Sequence, residues 1–268
     1  MNANTLVLRI VPPIVRNARH PQRLIERSVM VYRRLWLMLV SGFFEPLFYL
    51  LSIRIGFGKL VGDISVAGQT VKYAEFVAPA LMASSAMNGA VYDSTMNIFF
   101  KLKHARLYDA VLATPMNAND VALGEIGWAV IRGSLYSFAF MLCMVGLGMT
   151  STPWVLMALP ACWLIGFAFA SVGMAATTFM RSWADFDWVQ TAIMPMFLFS
   201  CTFYPLSSYG DWGWIMQISP LYHGVALVRG ASLGMASWGM VVHVVVLLAM
   251  ATAGLGVAAR RVETLLLK

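Results

Sequence analysis

Charge is what this 268-residue chain has least of: Asp, Glu, Lys and Arg make up 12% of it, against roughly 25% in a soluble domain. So few ionised side chains cannot clothe a water-covered surface, which excludes an ordinary soluble fold. Cysteine is also scarce. Cys143, Cys162 and Cys201 fall in apolar runs without metal-ligand spacing or a framework of pairs, so they are expected to be small packing residues. His20, His104, His223 and His243 have no neighbours at zinc spacing, and no G-x-S-x-G elbow is present. The nearest approach to a phosphate loop, GFGKL at 56–60, lacks both the spacing and the Ser or Thr that hold magnesium and nucleotide. These absences predict a non-enzyme with no cofactor and no metal of its own.

What the chain has instead is hydrocarbon: 60% of its residues are hydrophobic, and the mean hydropathy is +0.73. A membrane-crossing helix needs about 20 apolar residues, and only helices or closed barrels satisfy their backbone inside a bilayer. Continuous apolar runs favour helices over the alternating ten-residue strands of a barrel. The expected fold is an all-α integral membrane protein, a single transmembrane domain over 1–268. Six spans are expected near 35–57, 74–98, 121–148, 154–180, 188–208 and 238–259. Gly166 with Ala170, and Ser171 with Ala175, have the small-xxx-small spacing that lets helices approach closely. No repeat of fixed period is obvious, which gives no support to an inverted-repeat transporter.

The net charge is +7, but its basic residues crowd the N-terminus and short loops rather than an aromatic-interleaved polar patch, so no nucleic-acid partner is expected. The segment 17–34 forms an amphipathic helix on this reading. Leu24, Val31 and Leu35 lie near one face, while Arg23, Arg27, Arg33 and Arg34 snorkel toward lipid phosphates. The alternative is a basic tail that only sets orientation. Residues 1–34 hold seven arginines and no clean apolar core, so no cleavable signal peptide is expected. With six spans, fourteen of the nineteen basic residues fall on one side, which places both termini and 101–120 in the cytoplasm and 59–72 and 207–222 outside.

Between the second and third spans, the cytoplasmic loop 101–120 predicts a short helix near 104–113 that ends before Pro115, with Asn119 or Asp120 capping the next helix. A structured helix there is a natural docking surface; a plain polar connection is the alternative. Glu45, Asp93, Glu125 and Arg132 lie in or near spans, where an unsupported charge costs about 2.5–3.5 kcal/mol. Glu125 and Arg132 share a face but stand about 10 Å apart along the axis, so each is expected to find another partner. Solvation at the membrane edge would suffice for Glu125, whereas Glu45 and Arg132 are expected to line an internal contact or a path. Pro205, Ser207, Ser208, Gly210, Asp211 and Pro220 interrupt the apolar run after the fifth span, so non-helical backbone there must face protein or water.

These segments resemble one family. RLYDAVLATP at 106–115, followed by LGEIGW at 123–128 and then Arg132, is similar to the coupling-helix region of type-2 ABC (ABC-2 type) exporter permeases. It is closest in pattern to the permeases of nodulation-factor export, which move lipo-chitooligosaccharides. PMFLFSCTFYPLSSYGDWGWIMQISPLYHGVALVRG at 195–230 resembles that family's signature before the last span, except that Tyr209 and Gly210 replace a frequent Leu-Pro pair. FEPLFYLLSIRIGFG at 44–58 resembles its first span. The resemblance implies a permease of the bacterial cytoplasmic (inner) membrane that pairs with a second permease copy or a paralogue, with membrane lipid around it. Two separate ABC ATPase subunits would bind ATP and Mg. It also implies re-entrant outer helices between spans five and six, and export of an amphipathic substrate: a lipid-linked oligosaccharide, a polysaccharide or a hydrophobic drug. Arg106, Leu107, Tyr108, Asp109, Leu112 and Pro115 would touch the ATPase. Glu45, Arg132, Tyr204 and His223 are candidates for the path or for internal polar contacts. An ion-coupled secondary transporter and a non-transporting anchor or assembly protein stand as alternatives.

Overall fold

The computed structural model describes residues 18–34, 37, 44, 47–66, 68–105, 107–150, 153–235 and 237–266. Glu45, Arg106 and most of the expected first span before residue 47 lie outside the described residues.

The described residues are mainly helical, with one hairpin among them. Helix α1 spans Gln22–Arg34 and α2 spans Leu47–Phe57, continuing through a short turn of helix at Gly58–Val61. Strands β1 (Asp63–Val66) and β2 (Gln69–Lys72) then pair antiparallel, Asp63 opposite Lys72. The sequence reading has 59–72 only as a connection between spans; the four-residue strands within it are too short to register as a strand signal. Helix α3 (Tyr73–Tyr92) runs on through two π-type segments, Asp93–Asn97 and Phe100–His104. Next come α4 (Leu107–Leu112), α5 (Ala118–Gly146), α6 (Ala158–Thr177), α7 (Phe186–Phe199), α8 (Pro220–Leu233) and α9 (Gly239–Leu266).

Among the described residues, three helices are long and apolar enough to cross a membrane: Ala118–Gly146, Pro153–Thr177 and Gly239–Leu265. They match the expected spans at 121–148, 154–180 and 238–259. Helix α3 is shorter, at 20 residues, and it is buried along nearly its whole length. Helix α7 stops at Phe199, about nine residues short of the expected end at 208. The reason is local. Cys201 adopts φ 56°, which no helix accommodates, and hydroxyls on Ser200 and Ser219 bond each other at 2.6 Å across the break. Downstream, Pro220 opens α8 at a position where its missing amide proton is not needed, and Gly234 closes it at φ 70°.

Helices α3, α5 and α6 form the centre, with α8 and α9 packed against them. Side chains such as Val77, Met82, Met87, Met144, Ile165 and Leu221 are fully buried there. The outer face of α9, by contrast, shows Val241, Val242, Val245 and Leu248 to the surroundings, a lipid-facing composition. Gly254 marks the tightest crossing: a Cβ there would lie 2.7 Å from the Val172 amide nitrogen, so α6 and α9 meet backbone to backbone. Gly166, singled out by spacing, makes only an ordinary contact at 3.8 Å with Val130.

Candidate functional site

Of the charges that the sequence leaves unexplained, Asp93, Glu125 and Arg132 converge at one end of the bundle, where α1, the π-type extension of α3, α4 and the first half of α5 meet. Arg132 on α5 donates through Nη1 to Asp93 Oδ1 at 2.8 Å and to the Tyr32 hydroxyl of α1 at 3.0 Å. Its Nε donates to the Tyr136 hydroxyl at 3.0 Å. Asp93 is 2% exposed; its Oδ1 also accepts from Asn97 Nδ2, while Oδ2 has no partner among the described residues. One turn of bundle further on, Lys101 Nζ donates to Glu125 Oε2 at 2.6 Å, and Glu125 is 3% exposed. Edge solvation is therefore not what carries Glu125: it is paired inside the protein. Asp93 and Lys101 each sit in a π-type segment. Such a segment adds a residue to the helical turn and shifts the residues after it around the axis, which lets one continuous helix aim both groups at α5.

Helix α1 is fixed to the same region. Asp120 is fully buried and takes the Arg19 and His20 amides on Oδ1 at 2.6 and 2.7 Å, while its Oδ2 takes the Asn117 amide at 2.9 Å. The helix cap is thus Asn117, whose side chain accepts from the Asp120 amide, rather than Asn119 or Asp120 as expected. Along α5, Leu24 and Pro21 fill the space a Cβ on Gly124 would need, and Ile25 does the same at Gly127. The glycines of LGEIGW are what let α1 lie flush on α5.

Helix α4 is shorter than expected and turned differently. Tyr108 does not project outward; it is 2% exposed and seated among Ile98, Val121, Met174 and Val262, from α3, α5, α6 and α9. A ring of that size buries its area most favourably inward, and a six-residue helix has no periodicity from which to read its inner face. Burial, then the nearby Glu125 carboxylate, pushes the Tyr108 phenol well above its ordinary range, so it stays neutral. Asp109 and Ala110 form the exposed face, with Leu107 and Leu112 half-buried and Pro115 exposed.

The other candidates are not brought to this cluster. Tyr204 is 60% exposed in the break after α7. His223 on α8 is buried; its Nδ1 faces His243 Nδ1 at 2.7 Å and its Nε2 lies 2.9 Å from the Gln217 carbonyl oxygen. With Nε2–H given to that carbonyl, the neutral His223 ring accepts at Nδ1 and His243 donates. Sequence reasoning missed the role of Arg229. Its Nη2 donates to the Cys201 carbonyl at 2.7 Å, its Nε donates to the Phe76 carbonyl at 3.1 Å, and the guanidinium stacks on the Phe76 ring at 3.7 Å. Arg229 therefore satisfies backbone that the break after α7 leaves open, and ties it to α3.

The pairs Arg132–Asp93 and Lys101–Glu125 hold helices together at this end of the bundle. A profile of the ABC-2 type transporter family matches residues 21–233. The chain is 30% identical to nodulation protein J of Sinorhizobium fredii over 222 residues, 82% of this chain and 83% of that protein. It is 29% identical to nodulation protein J of Rhizobium meliloti over 78% of this chain and 79% of the other. To the inner membrane transport permease YadH of Escherichia coli it is 24% identical over 78% of this chain and 80% of that permease. With the apolar helices described above, these likenesses show that the chain belongs to the ABC-2 type transporter family and is an ABC transporter membrane subunit.

Proposed function

We propose that this chain is the permease of an exporter whose two ABC ATPase subunits, carrying ATP and Mg, dock on α4, and that it works beside a second permease copy or a paralogue. In this reading the bundle has six spans with both termini and α4 in the cytoplasm, and the β-hairpin outside. The segment 206–216 and α8 enter the membrane from the outer side and return. The cargo is amphipathic: a lipid-linked oligosaccharide, a polysaccharide or a hydrophobic drug. Family members generally work with an ABC ATPase partner, which supports the assignment of partner.

The observation that carries the reading is the geometry of α4. Its outer face offers Asp109 and Ala110, while Tyr108 on its inner face is wedged among four other helical segments. A push on the outer face is delivered through that ring to α5 and α9. Closely packed interiors transmit such displacement rather than absorbing it, and the nucleotide would shift the permease toward whichever conformation the ATPase pair binds better.

Asp109→Arg tests this without touching the core. Because Asp109 is exposed, folding stability should change by less than about 0.5 kcal/mol. Co-purification with the ABC ATPase expressed beside it should fall about tenfold, which corresponds to about 1.4 kcal/mol of docking energy. Undiminished co-purification would show that α4 is only a connector.

A further inference from the structure

A cavity of about 720 Å³ opens on the flank of the bundle between α6, α7 and α9, away from the charge pairs. Val91, Phe169, Val172, Ile193 and Met250 give it walls of carbon. It follows α7 from Trp188 to Met196, about 12 Å of helix. Its end nearest the α6–α7 connection is cationic. Arg181 lines that end, is exposed, and has no carboxylate within 4.0 Å among the described residues. The one acid in the lining, Asp185, turns Oδ2 back onto the Arg181 and Ser182 amides at 2.6 and 3.1 Å.

We propose that this cavity seats one acyl chain of an anionic glycerophospholipid from the surrounding bilayer, with its phosphate held by Arg181. A carbon-lined hollow offers water too few polar partners, so hydrocarbon fills it in a membrane. The Arg181 guanidinium at one end, which forms no ion pair among the described residues, matches a phosphate, which arginine binds by paired hydrogen bonds. Apolar side chains of a second copy could fill the same hollow, but they would cover Arg181 and leave its charge unmet. The site needs only a membrane around the chain. It depends on neither the ATPase docking nor the direction of transport.

Native mass spectrometry of the full chain in detergent tests it, with dioleoyl phosphatidylglycerol and dioleoyl phosphatidylcholine as probes of identical chain length. The wild type should retain phosphatidylglycerol about fivefold more strongly, the effect of one arginine near an anionic headgroup. Arg181→Gln should abolish that preference, and Ala192→Trp, at an exposed lining position, should lower retention of both lipids. Equal retention of the two headgroups by the wild type, retention indifferent to both variants, or a lipid-free dimer would each overturn the proposal. None of these outcomes bears on whether α4 docks an ATPase.

Discussion

Arg132→Leu is expected to remove about 3–5 kcal/mol of stability, which for a marginally stable fold means loss of most of the folded protein. The size follows from what the substitution strands. The Asp93 side chain is 1% exposed, and without Arg132 its carboxylate keeps only the Asn97 amide while Oδ2 still has no partner among the described residues. Tyr32 and Tyr136 lose their common donor as well, which loosens α1 from α5. Arg132→Lys should recover part of the loss, because lysine keeps the charge but cannot reach three oxygens from one planar fork. Asp93→Asn combined with Arg132→Leu should recover more than half, since the uncompensated charge is gone. Thermal unfolding of the variants in one detergent reads all of this. Wild-type stability of the leucine variant would mean that the pair contributes nothing.

The second large effect is expected at the neighbouring pair. Lys101→Met leaves the Glu125 carboxylate, 3% exposed and close to the Tyr108 ring, without the ammonium that donates to it, at a cost of about 3 kcal/mol. Glu125→Gln should be milder, at about 1–3 kcal/mol, because an amide can still accept from Lys101. The double variant should be more stable than Lys101→Met alone, and a double-mutant cycle gives the coupling directly. Strict additivity of the two single changes would contradict a working pair. Both pairs clamp the end of the bundle that bears α4, so these variants are expected to disturb coupling even where folded protein survives.

Much of this architecture is legible in the residues because a bilayer leaves few choices. The apolar runs that become α5, α6 and α9 are long enough that hydropathy alone locates them. The amphipathic pattern at 17–34 covers α1, but of its expected apolar face Leu24 is buried whereas Val31 is exposed. What stays illegible has a common cause, which is that side-chain direction depends on local helix geometry. The π-type segments that bring Asp93 and Lys101 to face α5 have no compositional signature, so Arg132 and Glu125 could be flagged as needing partners but not paired. The apolar residues Cys201 and Phe203 read as helix by hydropathy, yet the chain is broken there because Arg229, 28 residues after Cys201, accepts the task of satisfying the freed carbonyls. The Asn117 and Asp120 cap did leave a signal, Asn three residues before Asp, and it was the later residues that drew attention. The resemblance points Tyr108 toward a partner, whereas the ring is 2% exposed on the inner face of α4, a direction that a six-residue helix does not encode.

The central claim, that α4 is where an ATPase takes hold of this permease, is tested most directly by site-specific photo-cross-linking in intact inner membranes. A benzophenone side chain is placed at position 109 on α4 in one preparation and at the exposed position 65 of the β-hairpin in another, each with the ABC ATPase present. The account predicts a cross-linked product of permease and ATPase from position 109, changed in yield by ATP, and none from position 65. A product from position 65, or none from position 109 in a complex that otherwise co-purifies, would contradict it.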